Sequence, residues 1–211
     1  MIGIIDYGAG NLKSVQNALQ HIGAEWFIAG SPSDFTKADG LILPGVGSFG
    51  AAMEQLEQRG LADPIRRWAA ADRPLLGICL GLQLLFSYSE ESPGVKGLEI
   101  FSGGFRRFPD HMGLKIPHIG WNQLDIRSRA GIFQALPADT YCYFVHSFYL
   151  AADAPHVAAI SEYGLPFGAA VERGRTAACQ FHPEKSGRAG LTILARFKEI
   201  CGTARMEGGQ G

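Results

Sequence analysis

The chain has 211 residues, 46% of them hydrophobic and 18% charged, the make-up of a globular protein with one sizeable core. A formal net charge of −1 leaves no basic footprint for nucleic acid or for an anionic membrane, so any partner is selected by site geometry. No apolar run reaches the roughly 18 residues of a membrane span. The four cysteines are scattered without a CxxC pair, and the N-terminus "MIGIIDYG" lacks a signal peptide's basic and apolar regions, so reduced thiols and a cytoplasmic location are expected.

In chain order, "IGIIDYG" from Ile2, "GLILPG" from Gly40 and "RPLLGI" from Arg73 read as short buried strands. Between them, Asn11 to Ile22 and Phe49 to Ala71 read as helices. Strands alternating with helices predict βαβ units, hence an α/β fold with a mostly parallel sheet flanked by helices. From Gly97 to Thr176 the texture changes to short stretches rich in Phe, Tyr, Val and Ile, with turn signals such as Ser102-Gly103-Gly104 and Asp153-Ala154-Pro155. Added antiparallel strands and hairpins are expected there. A last amphipathic helix is expected from about Gly187 to Ile200. Residues 1–201 are thus expected to form a single domain, followed by a flexible tail over 202–211.

In "RPLLGICLGLQLL", Cys79 stands between Gly77 and Gly81, where a strand-like run becomes a helix-like one. A nucleophile elbow has this pattern: the flanking glycines clear space for a strained backbone, and the thiol stands at the carboxyl edge of the sheet. The positive end of the following helix favours the thiolate, the reactive form of cysteine. A buried structural cysteine is the competing reading of the pentapeptide alone. A partner decides between them.

"AACQFHPEKSG" supplies one. His182 and Glu184 are two residues apart, so in an extended segment they share a face, and Pro183 keeps His182 out of the helical region. A cysteine nucleophile needs a base to take and return its proton. The base in turn needs an acid to fix its tautomer and stabilise the imidazolium. Read separately, His182 is also compatible with a surface histidine and Glu184 with a helix-capping acid. No second histidine or cysteine lies at metal-ligand spacing, so no metal site is expected.

"GICLGLQLL" and "QFHPEKS", in this order and about a hundred residues apart, resemble the class I (triad-type) glutamine amidotransferases, and the resemblance covers essentially the whole chain. It implies a flavodoxin-like fold and a cysteine that attacks the side-chain amide of glutamine and releases ammonia, with no cofactor. Cys79, His182 and Glu184 would be the triad. "LILPGVGSFG" would be the oxyanion strand, with Gly45, Val46, Gly47 and the elbow residue Leu80 as candidate donors. Gln83, Glu91 and the segment His146, Ser147, Phe148 of "YFVHSFY" would contact the substrate, with Glu90 as the neighbouring acid.

The stretches "DYGAGNLKSV", "SPGVKGL" and "PHIGWN" resemble a narrower group, the glutaminase subunits of imidazole glycerol phosphate synthase. This implies histidine biosynthesis and a heterodimer with a (β/α)8-barrel cyclase, with Asn11, Ser14, Trp121, Tyr143 and Lys185 near the interface. Each has a plainer reading: Asn11 as a helix cap, Trp121 as core, Lys185 as a solvated side chain. A glutaminase subunit serving a different acceptor synthase is the alternative. A dinucleotide fingerprint is not completed by "GAGNLK", because Lys13 stands where the third glycine belongs.

Overall fold

The structure is a computed structural model and describes residues 1–208. Its elements are β1 (Ile2–Ile5), α1 (Leu12–His21), β2 (Trp26–Ala29), β3 (Gly40–Gly45), α2 (Phe49–Gln58), α3 (Ala62–Ala70), β4 (Leu75–Cys79) and α4 (Leu80–Leu84). There follow β5 (Tyr88–Ser89), β6 (Gly104–Arg107), β7 (His118–Gln123), β8 (Asp125–Ile126), β9 (Tyr141–His146), β10 (Phe148–Ala151), β11 (Val157–Glu162), β12 (Pro166–Arg173), β13 (Thr176–Cys179) and α5 (Gly187–Gly208).

The main sheet runs in the order β2-β1-β3-β4-β13-β12-β10-β6-β5, with β11 and β8 attached beyond β12. From β2 to β13 every pairing is parallel. From β13 to β6 every pairing is antiparallel. β7 and β9 form a separate antiparallel pair. This is the expected parallel core with antiparallel strands added in the second half.

The inner parallel strands β1, β3, β4 and β13 are buried on both faces, as crossover helices require. Along β3, Ile42 joins one core with Val15 and Leu19 of α1 and Ile193, Leu194 and Phe197 of α5. Its neighbours Leu41 and Leu43 join the other, with Phe49 and Leu56 of α2 and Ile65 and Trp68 of α3. The period-2 alternation therefore sorts β3 between two helical layers.

Three boundaries differ from the sequence reading. The stretch from Phe49 to Ala71 is two helices, broken at Arg59-Gly60-Leu61. Gly60 has φ +66°, and the N–H groups of Gly60 and Leu61 donate to the carbonyls of Glu57 and Leu56 (3.0 and 2.9 Å), a Schellman stop. The edge strand β2, in "AEWFIAG", has no counterpart in the sequence reading, since its half-exposed residues give no buried run. Finally α5 continues past Ile200 to Gly208, and the rest of the expected tail, 209–211, lies outside the described residues.

The glycines around Cys79 act through close approach. A Cβ on Gly77 would lie 2.9 Å from the carbonyl oxygen of Gly81 and 3.0 Å from Ala178 Cβ, and one on Gly81 would collide with the Leu43 carbonyl. They let α4 fold tightly over β3 and β4. Gly81→Ala is therefore expected to cost about 3 kcal/mol by overpacking against backbone, measured by chemical denaturation; a loss under about 0.5 kcal/mol, the scale of a neutral surface change, would refute the close-packing argument.

Candidate active site

Cys79 ends β4 and precedes the first residue of α4, with φ +56° and ψ −109°. A non-glycine residue at such angles carries strain that the surrounding structure must hold, here in order to present a side chain at the sheet edge. Register then places the neighbours. Parallel pairing sets Gly45, at the end of β3, opposite Cys79. It also sets Cys179, the last residue of β13, opposite Ile78, so the chain leaving β13 passes Cys79 on its other side and delivers Gln180 and His182.

His182 is pinned by its backbone. Its N–H donates to Tyr143 O (2.9 Å), and its carbonyl accepts from Ser186 Oγ (2.7 Å), which itself receives the Tyr143 N–H (3.0 Å). The imidazole Nδ1–H donates to Glu184 Oε1 at 2.8 Å, with the two side chains only 6% and 2% exposed. The second carboxylate oxygen of Glu184 is buried without a hydrogen-bond partner among the described residues. Burial disfavours an imidazolium, but hydrogen bonds and charge attraction from Cys79 and Glu184 outweigh it and push His182 up to about 9. Near neutral pH the site therefore keeps a proton on His182, facing the sulfur.

The sulfur has further neighbours. Cys79 Sγ lies 3.8 Å from the Val145 carbonyl, which accepts from the thiol, and 3.8 Å from the Gln180 amide Nε2, which donates to it. Tyr7 and Leu80 close around Gly45 at the end of β3: a Cβ on Gly45 would meet Tyr7 Oη at 2.6 Å and Leu80 Cβ at 2.9 Å. The Tyr7 hydroxyl is fully buried with no hydrogen-bond partner among the described residues, and burial, with Cys79 nearby, raises it above its ordinary range.

These groups open onto a cavity of about 330 Å³, a volume suited to a small ligand. Val46, Gly47, Leu80, Gln83, Glu91, His146, Ser147 and Phe148 line it with Cys79 and His182, and Lys185 stands at the same wall. Gly45 and Glu184 sit behind the lining. Glu91 uses one carboxylate oxygen to accept the N–H of Phe49, at the start of α2 (2.7 Å). Glu90 instead accepts the Arg107 N–H (2.9 Å), away from the cavity. Gln83 donates to Gln180 Oε1 at 3.2 Å, so this polar residue in an apolar run is a satisfied buried group as well as a lining one.

The structure also separates the two histidines at the cavity, His182 and His146. A carbonyl can only accept, so His146 Nδ1–H donates to Phe148 O (2.8 Å). His146 Nε2 then accepts from His118 Nδ1–H (3.1 Å). Burial pushes His146 down to about 3 and His118 to about 4. His146 is a neutral wall residue with both nitrogens engaged.

Among the expected interface residues, Asn11 caps α1, its Oδ1 accepting the Ser14 N–H (3.3 Å). α1 packs against the turn Pro183–Lys185. Trp121 is not core: it is 53% exposed and meets the Tyr143 ring across the β7–β9 pair at 6.0 Å. Sequence reading missed Tyr7, Pro117, Val145 and Gln180. Gln180 had a signal, a glutamine amid an apolar strand run two residues before the histidine.

Residues 3–200 match the family model "Glutamine amidotransferase class-I". The chain belongs to the class I glutamine amidotransferase family. Within it, the chain is 48% identical over 200 residues to the "Imidazole glycerol phosphate synthase subunit HisH" of Moorella thermoacetica, covering 94% of each chain. It is 49% identical over 206 residues to the HisH subunit of Syntrophotalea carbinolica, covering 95% of this chain and 100% of that one. The fold also matches a solved putative GMP synthase protein from Thermoplasma acidophilum, with TM-score 0.73, 20% identity and coverage of 98% of this chain and 96% of that one. Like other class I glutamine amidotransferases, the chain carries an enzyme's amide-hydrolysing fold. Among the described residues no His, Cys, Asp and Glu group is placed to hold a metal ion, and no helix is long and apolar enough to cross a membrane.

Proposed function

We propose that this chain is the glutaminase subunit of a cytoplasmic imidazole glycerol phosphate synthase in histidine biosynthesis, and that residues 1–201 act as one amidotransferase domain. The observation that carries the chemistry is the line Glu184 carboxylate, His182 imidazole, Cys79 sulfur at the floor of the cavity. The Cys79 thiolate adds to the carboxamide carbon of glutamine. The resulting oxyanion is met by N–H donors from the Gly45-Val46-Gly47 strand and Leu80. His182 passes its proton to the departing nitrogen, ammonia leaves, and a thioester remains. Water, deprotonated by the now neutral His182, attacks the thioester; glutamate departs and the thiolate and imidazolium are restored. Gln83, Glu91 and the backbone at 146–148 hold the amino-acid end of the substrate.

Ammonia released into water at neutral pH is mostly ammonium, a non-nucleophile, so it must pass directly to an acceptor subunit. The partner would be a (β/α)8-barrel cyclase docked over the cavity mouth. Exposed Trp121 and Ile119, at 53% and 59%, project from the β7–β9 pair beside Tyr143; Lys185 lines the cavity, and Asn11 and Ser14 lie at the start of α1, which packs against the turn Pro183–Lys185. Large apolar side chains left in water next to an active site fit a docking surface. Trp121→Ala is expected to weaken association about tenfold to a hundredfold without changing the fold. Titration calorimetry with the cyclase checks it, and unchanged affinity would remove Trp121 from the interface.

The test of the whole reading is glutamate release from glutamine by this chain alone, then with a barrel cyclase, with and without the barrel's nucleotide ligand. Turnover that rises when the liganded barrel is added supports both the chemistry and the assignment. Turnover indifferent to that barrel redirects the glutaminase to another acceptor.

A further inference from the structure

Gln180 is entirely buried, with 0% exposure, one residue beyond the end of β13. Its backbone N–H is satisfied by Ala169 O (2.8 Å), and its side-chain oxygen accepts the Gln83 amide at 3.2 Å. With that oxygen engaged by Gln83, the hydrogen-bearing end of the Gln180 carboxamide is turned away from Gln83. The NH2 end therefore faces Cys79 Sγ, at 3.8 Å. The sulfur also has the Val145 carbonyl at 3.8 Å, which can only accept.

The sulfur thus sits between groups that favour different protonation states. Val145 O rewards the thiol, whose S–H it accepts. Gln180 Nε2–H and the His182 imidazolium reward the thiolate, which can only accept. Resting on the glutaminase reading above, we propose that Gln180 is a positioning residue for the nucleophile: its amide N–H holds the Cys79 thiolate, and through Gln83 it ties that sulfur to the wall of the substrate cavity. A substrate contact that draws the Gln83 amide away or holds it in place is then felt at the sulfur through one intervening side chain. Neither Gln180 nor the Gln83–Gln180 bond touches the reacting carbon, so the effect runs through the nucleophile's charge state and aim.

The experiment uses the full chain with Gln180→Met, which keeps the volume and removes the donor, and Gln180→Glu, which keeps an acceptor for Gln83 and places carboxyl oxygens against the sulfur. Three quantities are read: kcat and KM for glutamate release, the pH midpoint of Cys79 alkylation by iodoacetamide with Cys79→Ala as the background, and the denaturation midpoint. Expected for both variants are a kcat loss of about tenfold or more, the scale of one charge-assisted hydrogen bond, with KM changed less than about threefold, and an alkylation midpoint moved up by about one pH unit. A lowered denaturation midpoint with unchanged alkylation midpoint and unchanged kcat per folded molecule would make Gln180 merely structural and overturn the proposal. Alkylation needs no substrate. A wild type without glutamine turnover even beside the liganded cyclase would therefore defeat the glutaminase reading while the alkylation midpoint still decides the role of Gln180.

Discussion

Replacing Cys79 by alanine or glycine is expected to abolish glutamate release from glutamine, by about 10⁴-fold or more, as loss of a covalent nucleophile does. The two variants should nevertheless part company in stability. Cys79 is held at φ +56°, ψ −109°, a conformation that costs a side-chain-bearing residue about 1–3 kcal/mol. Alanine keeps a Cβ and hence the strain; glycine has none and relaxes it, at an offsetting cost of about 0.5–1 kcal/mol in unfolded-chain entropy. Cys79→Gly should therefore equal or exceed Cys79→Ala in unfolding free energy while being equally inactive. Urea denaturation alongside a glutaminase assay measures both. In complex with the cyclase, both variants should still support synthesis from added ammonia, because that step bypasses the thioester. Retained glutamine turnover in either variant would remove Cys79 from the chemistry, and a glycine variant clearly less stable than alanine would remove the strain argument.

Much of this site was legible because its chemistry is local in sequence. Gly77, Cys79 and Gly81 announce a tight strand-to-helix junction, and His182, Pro183 and Glu184 place base and acid on one face; the hydrogen bond between the latter, 2.8 Å, follows from their spacing. The parallel core was legible for the same reason, since each buried strand writes its own apolar run. What was not legible depends on register. Gln180 reaches Cys79 because β13 and β4 align Cys179 with Ile78, a pairing across a hundred residues that no local pattern encodes. Tyr7 reaches Gly45 through the β1–β3 pairing, in which Ile4 stands opposite Ile42. His146 illustrates the converse. A histidine at the cavity wall looks like a base until its two nitrogens are seen engaged by Phe148 and His118.

Glu184→Gln tests the electrostatic half of the proposed triad, and its expected consequences differ in kind from those at Cys79. In the wild type, burial alone would depress His182, and the hydrogen bonds and charges of Cys79 and Glu184 reverse this to about 9. Glutamine removes the buried negative charge, so burial is less opposed and His182 falls. An amide that turns its NH2 toward Nδ1 also forces the wrong tautomer, with the proton on Nε2 where the base's lone pair is needed. The expected loss in kcat is about 10²–10⁴-fold, by comparison with removal of the orienting acid in other triads, with KM little changed because Glu184 lies behind the cavity lining. Stability carries a second signature. The folded value of His182, about 9, lies above its ordinary 6.5, so its contribution is fully present below pH 6.5 and is lost as pH rises through 9. The wild type should lose unfolding free energy across that window relative to Glu184→Gln, in which the raised value is gone. Urea denaturation at pH 6, 7.5 and 9.5 reads the difference. A stability gap that widened with rising pH would mean that His182 is neutral in the folded wild type, and the charged pair facing Cys79 would have to be abandoned.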